Sequence, residues 1–223
     1  MISRSLLFSF LVLCIFDFDS FAVDKEEPSS RYQKADFASR DGIGKLYLGR
    51  EISQVMGHLG AGWLERPKRE KEERTDLLVK NLGLKPTDVV ADIGAGSGYF
   101  SFRMAKLVPK GKVHAVDISK QMLAIIRSRM AKMKVDNVVP VFSTITDVKL
   151  PPDSVDLALI VDAYHEFDHP WEMATSILRS LKPGGRLMEM GKTDLREPAD
   201  VAAAAADPAP GRAAPGQDLL HAT

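Results

Sequence analysis

The stretch "VVADIGAGSGYF", residues 89–100, is an apolar run interrupted by three alternating glycines. A short apolar run of this kind predicts a buried strand, and the glycines after it predict a tight turn without side chains. The apolar pattern resumes at Tyr99 and Phe100, which predicts the start of a helix. Because backbone N–H groups at a helix start point into such a turn, we expect part of a nucleotide-like ligand to lie there.

Two common nucleotide-binding loops fit these residues poorly. The ATP-type phosphate loop requires Gly-x-x-x-x-Gly-Lys-Ser/Thr, but Tyr99 and Phe100 follow Gly98 where the lysine would stand. The dinucleotide fingerprint requires Gly-x-Gly-x-x-Gly, and its third glycine position falls on Tyr99 because Gly98 comes one residue early. A nicotinamide-dependent oxidoreductase is therefore a disfavoured alternative.

The residues instead form the pattern Asp-x-Gly-x-Gly-x-Gly, which begins at Asp92 and ends at Gly98. This pattern resembles the first motif of the class I S-adenosylmethionine-dependent methyltransferases. The resemblance implies S-adenosyl-L-methionine as the cofactor, held by the turn and its flanks: Asp92, Gly94, Ala95, Gly96, Gly98 and Tyr99. An acid beside the turn suits this cofactor, since it carries a sulfonium and an amino group instead of a pyrophosphate.

Two later segments match the family's cofactor contacts. "VHAVDIS" (113–119) places Asp117 at the end of a second strand, where a carboxylate can accept hydrogen bonds from ribose hydroxyls. The resemblance implies that Ile118 lies against the adenine. It also implies that Asp147, at the end of "STITD" (143–147), or its backbone neighbours meet the adenine amino group.

Two further segments extend the resemblance over residues 88–191. "DSVDLALIVDAYHEF" (153–167) resembles the fourth strand and the loop that lines the methyl-transfer site, with Asp162 facing the cofactor. "LKPGGRLMEM" (181–190) resembles the turn into the fifth strand. The order and spacing of all these motifs make the resemblance specific, whereas a single glycine loop would be weak evidence.

Strand and helix patterns alternate along the same region. Apolar runs predict strands at 89–93, 113–116, 138–142, 155–161 and 186–190, and helical spacing predicts helices at roughly 98–108, 119–133 and 170–182. Such alternation is typical of a parallel sheet covered by helices on both faces. The expected fold is therefore α/β, a Rossmann-like doubly wound parallel sheet of the class I methyltransferase type.

The N-terminal third divides into three predicted regions. Residues 1–22 contain the apolar stretch "LLFSFLVLCIF" before small residues, which is the layout of a cleavable signal peptide, so we expect an exported protein, periplasmic or secreted, without stable membrane insertion. The alternatives are an uncleaved membrane anchor, or a wrongly chosen start codon and a cytoplasmic protein. Residues 23–41 have no hydrophobic period and predict a polar tether. Residues 42–87 predict a helical cap, within which "RPKREKEER" predicts a solvated helix face and a helical spacing links four apolar residues: Leu48, Ile52, Val55 and Leu59.

The C-terminal segment does not continue the α/β pattern. Class I methyltransferases extend past the fifth strand with a helix and two more strands, for which residues 192–223 offer no candidate. This segment is rich in alanine and proline and predicts a disordered low-complexity tail. We therefore expect the family's last strands to be missing or replaced, and we hypothesise a frameshifted or truncated version of a longer ancestor.

The loop "DAYHEFDHP" (162–170) contains the candidate catalytic group. His165 is the best candidate for a general base because imidazole titrates near neutral pH, and a local structural role for its side chain is the alternative. On so short a loop, His165, Glu166 and His169 would converge on a metal in only one arrangement, so we expect no metal. Cys14, the only cysteine, lies in the predicted leader, so the mature chain would have neither disulfides nor a cysteine nucleophile.

These observations predict S-adenosylmethionine-dependent methyl transfer to a small-molecule acceptor. The chain has 30 basic and 30 acidic side chains, so no bulk charge attracts nucleic acid, and we expect no nucleic-acid partner. A cofactor-binding protein without catalysis is the alternative, because the last part of the family's fold is missing. No motif indicates the acceptor atom or the oligomeric state.

Overall fold

The structure, a computed structural model, describes residues 31–191. The predicted leader, the first part of the predicted tether and the alanine- and proline-rich segment lie outside the described residues. The chain divides into two units, Met1–Arg31 and Tyr32–Thr223, and all the features below belong to the second. Within residues 31–191 no helix combines the length and the apolar character needed to cross a membrane.

The second unit begins with a three-stranded antiparallel sheet. Its strands are β1 (Tyr32–Lys34), β2 (Gly42–Tyr47) and β3 (Arg50–Ser53), in that spatial order. The predicted helix through Leu48 and Ile52 is therefore wrong, and so is the predicted tether where it overlaps β1. Leu48 and Gly49 have positive φ angles and form the turn between β2 and β3, while Ile52 is buried in β3. The helical spacing of Leu48 and Ile52 thus links a turn residue to a strand residue.

Three short helices connect this sheet to the rest of the unit: α1 (Ala61–Leu64), α2 (Arg69–Glu73) and α3 (Thr75–Asn81). The predicted helical cap is accordingly part sheet and part helix. Arg69, in the run predicted to be a solvated face, is only 3% exposed. Arg69 is thus an exception in that run, and its side chain lines the cavity described below.

A five-stranded parallel sheet forms the centre of the unit. Its strands are β4 (Val89–Ile93), β5 (Lys112–Asp117), β6 (Val138–Phe142), β7 (Val155–Val161) and β8 (Leu181–Met190). Their spatial order is β6-β5-β4-β7-β8, with parallel pairing throughout. The chain thus passes from β4 to β5 and β6 on one side of the sheet. It then crosses to β7 and β8 on the other side of β4. This reversal creates the switch point at which open α/β sheets bind ligands.

Helices cover both faces of the central sheet: α4 (Tyr99–Ala105), α5 (Lys120–Met133) and α6 (Pro170–Ser180). Side chains alternate between the faces along each strand. On one face the strands pack against α3, α4 and α5, and the cluster includes Leu82, Val90, Met104, Leu123, Ile126 and Leu157. On the other face they pack against α6, and the cluster includes Ile93, Val116, Ile160, Met173 and Ile177. The predicted doubly wound α/β architecture is confirmed.

The predicted strands agree closely with the observed ones, and the largest difference is at β8. This strand begins at Leu181 rather than residue 186 and includes the Pro183–Gly185 turn segment, with a register irregularity against β7. Among residues 31–191, β8 pairs with β7 alone and forms an edge of the sheet. The segment predicted to lack the family's last strands lies outside the described residues.

Candidate functional site

A large cavity lies at the carboxyl ends of β4, β5 and β7, where the strand order reverses. Its empty space is about 940 Å³ including the open solvent at its mouth. The walls come from the glycine turn after β4, the loops after β5, β6 and β7, and the segment from β3 to α2. Five residues predicted from the sequence line it: Gly94, Gly96, Asp117, Ile118 and Asp162.

Two glycines keep one wall of this cavity free of side chains. Gly94 and Gly96 have φ angles of 73° and 54°, in the left-handed region where glycine carries no steric penalty. A Cβ atom at Gly94 would lie 2.6 Å from the Cβ of Ala163, and one at Gly96 would lie 2.7 Å from Cδ1 of Leu64. The left-handed backbone therefore favours glycine at both positions, and the close approach of Ala163 also excludes a side chain at Gly94.

Asp117 lies at the end of β5 with both carboxylate oxygens held by main-chain donors. Oδ2 accepts a hydrogen bond from the N–H of Gly96 at 2.8 Å, and Oδ1 accepts one from the N–H of Ser119 at 2.7 Å. Burial raises the pKa of Asp117, and these two bonds oppose that effect. Since each carboxylate oxygen can accept a second bond, Asp117 can still accept from two hydroxyl groups of a ligand.

The loop after β6 enters the cavity through neighbours of Asp147 and not through the Asp147 side chain. The lining residues are Ser143, Thr144 and Ile145. The carboxylate of Asp147 lies outside the lining, since its Oδ1 accepts bonds from the N–H of Lys149 at 2.7 Å and the hydroxyl of Ser176 at 3.0 Å. Asp147 thus anchors the loop to α6, while its neighbours face the cavity.

The other residues predicted from the glycine motif lie behind the wall of the cavity: Asp92, Ala95, Gly98 and Tyr99. Asp92 is buried and accepts a hydrogen bond from the hydroxyl of Ser101 in α4. The Tyr99 hydroxyl lies 2.9 Å from the hydroxyl of Thr75. These side chains organise the start of α4 and its packing, and they have no place in the lining.

The turn after β7 directs the side chains of His165 and Glu166 to different places. His165 lies in the 3-10 turn Tyr164–Glu166, and its side chain is absent from the lining of the cavity. Its carbonyl oxygen accepts a hydrogen bond from Nη1 of Arg50 at 3.4 Å. The geometry therefore gives His165 a position beside the cavity, and the side chain that faces the cavity is that of Glu166.

Glu166 is the strongest acid–base candidate among the described residues. Its side chain is 18% exposed, and its Oε2 accepts a hydrogen bond from the N–H of Met56 at 3.1 Å. Burial raises the pKa of Glu166 to about 7, the Met56 bond opposes this, and repulsion from Asp117 and Asp162 adds to it. The sequence contained this residue next to the predicted base, but no local pattern distinguishes which of two adjacent turn residues points inward.

The segment from β3 to α2 supplies the remaining wall, with these lining residues: Val55, Met56, Trp63, Leu64 and Arg69. Arg69 is the cationic member, and its guanidinium bonds to Glu73 at 2.8 Å and to the carbonyl oxygen of Leu64 at 3.0 Å. It also lies 4.4 Å from the ring centre of Tyr99. Its position could not be predicted, because it sits within a run of charges typical of solvated helices.

The N-terminal sheet is bonded to the loop after β7 and to α6. Nζ of Lys45 in β2 lies 2.6 Å from the carbonyl oxygen and 3.3 Å from Oδ1 of Asp168. The Tyr32 hydroxyl donates a hydrogen bond to Glu172 of α6.

Across residues 31–191 no cluster of three or more metal-ligating side chains is present.

Comparison with known proteins agrees with this geometry. A sequence model of the family described as "Methyltransferase domain" matches residues 90–185. The chain is 33% identical over 108 residues to the ubiquinone/menaquinone biosynthesis C-methyltransferase UbiE of Ectopseudomonas mendocina. The aligned region covers 48% of this chain and 42% of that protein. It is 32% identical over 108 residues to UbiE of Pseudomonas putida, with the same coverage. The chain thus spans less than half the length of these curated relatives.

Solved structures show the same relationship. A SAM-dependent methyltransferase from Aquifex aeolicus superimposes with a TM-score of 0.55 and 27% identity, covering 58% of this chain and 69% of that chain. The precorrin-6y C5,15-methyltransferase from Geobacter metallireducens superimposes with a TM-score of 0.50 and 26% identity, covering 58% and 67%.

The cavity fits the cofactor of this family, since the glycine wall allows close backbone approach and Asp117 has acceptor capacity for ribose hydroxyls. Fold, site and relatives therefore agree: residues 90–185 are a methyltransferase domain of the class I type, whose cofactor is S-adenosylmethionine.

Proposed function

We propose that this protein transfers the methyl group of S-adenosylmethionine to a small-molecule acceptor bound in this cavity, beside Glu166 and the segment from β3 to α2. The observation that supports this proposal is that the glycine wall, Asp117 and the apolar N-terminal segment line one continuous cavity. The cofactor supplies an electrophilic methyl group, so the protein has to bind, orient, exclude water and accept a proton.

The chain's own residues divide these tasks. Asp117 accepts hydrogen bonds from the ribose hydroxyls, and Gly94 and Gly96 leave room for the backbone to contact the methionine portion. Arg69 is the cation available for a carboxylate, although it already pairs with Glu73 at 2.8 Å. The loop residues Ser143–Ile145 replace Asp147 as the expected contacts of the adenine.

The walls of the acceptor region favour a neutral or cationic acceptor with an apolar body. Apolar side chains line this part of the cavity: Met56, Trp63, Phe167 and Met173. Carboxylates outnumber cations among the described lining residues, which include four acids, Asp117, Asp162, Glu166 and Asp168, and one cation, Arg69. An anionic acceptor would therefore enter against a net negative field.

Glu166 is the residue we assign to accept the acceptor's proton. It lines the cavity, and its pKa of about 7 suits a general base near neutral pH. Because the curated relatives named above are C-methyltransferases of quinone biosynthesis, small apolar rings with a nucleophilic carbon are the first acceptors to test. Phenols and amines are the next classes.

Calorimetric titration with S-adenosylhomocysteine tests the cofactor site, with Asp117→Asn as the test variant and NAD as the competing ligand. We expect micromolar binding of S-adenosylhomocysteine, a loss of at least tenfold in Asp117→Asn, and no heat with NAD. Absence of binding by the folded protein would contradict the proposal. Binding without turnover on ring, phenol and amine acceptors would instead support a cofactor-binding protein without catalysis.

A further inference from the structure

Glu166 is an acid of the cavity whose orientation depends on the opposite wall. The main-chain N–H of Met56 holds its Oε2 at 3.1 Å, and the side chain is 18% exposed. We propose that Glu166 makes the site prefer the positively charged methyl donor, S-adenosylmethionine, over the neutral product, S-adenosylhomocysteine. This inference rests on the proposed function and adds a means of distinguishing donor from product.

The position of Glu166 within the cavity is the first support. It lines the same cavity as Gly94, Asp117 and Asp162, which are the residues expected to contact the cofactor. Glu166 also lies close enough to Asp117 and Asp162 for their charges to affect its ionisation. A ligand charge between these carboxylates therefore interacts with Glu166 at short range and with little screening by water.

The charged groups around Glu166 do not cancel its field. Asp117 and Asp162 add negative charge from the ends of β5 and β7, and His165 Nε2 lies 3.9 Å from Oε1 on the same turn. Two cations of the packed elements are paired with other acids, Lys45 with Asp168 and Arg69 with Glu73, whereas Arg50 keeps its charge and contacts the carbonyl oxygen of His165 instead of a carboxylate. Within residues 31–191, no lysine or arginine lies within ion-pair distance of Asp117, Asp162 or Glu166.

The ionisation of Glu166 makes the preference depend on pH. Burial raises its pKa to about 7, so the carboxyl is mostly neutral near pH 6 and mostly ionised near pH 8. A bound cation favours the ionised form and lowers this pKa, so binding of the donor near pH 7 releases a proton. The neutral product has no such effect. The affinity ratio of donor to product therefore rises as the pH passes through about 7.

The transfer step removes both charges at once. As the new bond to the acceptor forms, the carbon–sulfur bond breaks and its electron pair stays on sulfur, which becomes neutral. The acceptor's proton passes to the Glu166 carboxylate, which also becomes neutral. The attraction that held the donor is then absent from the product complex, and loss of the proton from Glu166 to water restores the preference for a new donor.

Calorimetry on the full chain tests this inference without any acceptor. S-adenosylmethionine and S-adenosylhomocysteine are titrated at about pH 6 and about pH 8 into the wild type, Glu166→Gln and the control Glu70→Gln. Glutamine keeps an oxygen for the Met56 N–H, and Glu70 is an exposed acid of α2 outside the cavity. Thermal melting verifies that each variant is folded.

We expect the donor-to-product affinity ratio to rise about tenfold between the two pH values in the wild type and in Glu70→Gln, and to stay constant in Glu166→Gln. Titration near pH 7 in buffers of different ionisation enthalpy should show proton release with the donor and none with the product. A ratio that is independent of pH in the wild type, or unchanged by Glu166→Gln, overturns the inference while the proposed function stands. Failure of both ligands to bind overturns both proposals.

Discussion

Asp92 is a buried carboxylate that the cavity does not use. Burial raises its pKa to about 6, and the negative charge of Asp117 raises it slightly further. Hydrogen bonds from Ser101 lower it. Because the folded state then holds this proton more tightly than the unfolded state, stability should fall as the pH rises from about 4 to about 6. Asp92→Asn removes the charge, and its amide can bond to both the N–H and the hydroxyl of Ser101. We expect the free energy of unfolding of Asp92→Asn to exceed that of the wild type by about 1–3 kcal/mol near pH 8 and to equal it near pH 4.

Denaturant unfolding at the two pH values measures this difference. Asp88→Asn is a comparison, since Asp88 is another acid of low exposure near β4. An equal effect of Asp92→Asn at both pH values would show that folding does not raise the pKa of Asp92.

Gly94 offers a test of the glycine wall with a matched control. Gly94 and Gly49 have similar φ angles, 73° and 79°, so alanine adds a similar backbone strain of about 1 kcal/mol at either position. They differ in their surroundings, since a Cβ at Gly94 lies 2.6 Å from Ala163 and one at Gly49 has no atom within 4 Å. We expect Gly94→Ala to weaken S-adenosylhomocysteine binding more than tenfold and Gly49→Ala to leave it unchanged. Similar affinities for the two variants would contradict this account.

Among the elements, α2 is a short helix attached through one buried cation. Arg69 bonds to Glu73 and the carbonyl of Leu64, and its guanidinium lies over Tyr99. Arg69→Met keeps the apolar stem but removes these bonds, and Glu73 keeps a second partner in Arg66. We expect a loss of about 2–3 kcal/mol in the free energy of unfolding without ligand, less than for a buried acid left with no partner.

Arg74→Met is the control for this prediction. Arg74 follows α2, pairs with Asp76, and has an exposed side chain, so its replacement should leave stability unchanged within error. Equal effects of the two substitutions in denaturant unfolding would mean that α2 is not anchored through Arg69.

The protein as a whole should become more ordered around the cavity when it binds ligand. Its walls come from separate parts of the chain, residues 55–69 before the central sheet and residues 143–145 and 161–168 within it. We expect hydrogen exchange to slow in all three segments with S-adenosylhomocysteine, and to stay unchanged at 32–34. At a ligand concentration of 100 times Kd, stability should rise by about 2.7 kcal/mol. Protection limited to the glycine turn would show that residues 55–69 do not close over the ligand.

The amino-acid pattern sufficed for the central sheet and the place of the site. Strands at 89–93, 138–142 and 155–161 have the predicted bounds, because short apolar runs are local properties of the chain. The glycine turn was predictable for a similar reason, since left-handed φ angles strongly favour glycine. The carboxyl ends of parallel strands then had to meet at one edge.

Long-range packing determined the rest. The N-terminal sheet pairs residues across turns, so the spacing around Leu48 could not reveal it. Which of His165 and Glu166 lines the cavity depends on the 3-10 turn and on the Met56 N–H, which is 110 residues away in sequence. Asp147 and Asp92 are turned away by Ser176 and Ser101, hydroxyl partners whose positions only the folded packing establishes. Local periodicity specifies elements, whereas the direction of a side chain in a turn depends on contacts made by distant residues.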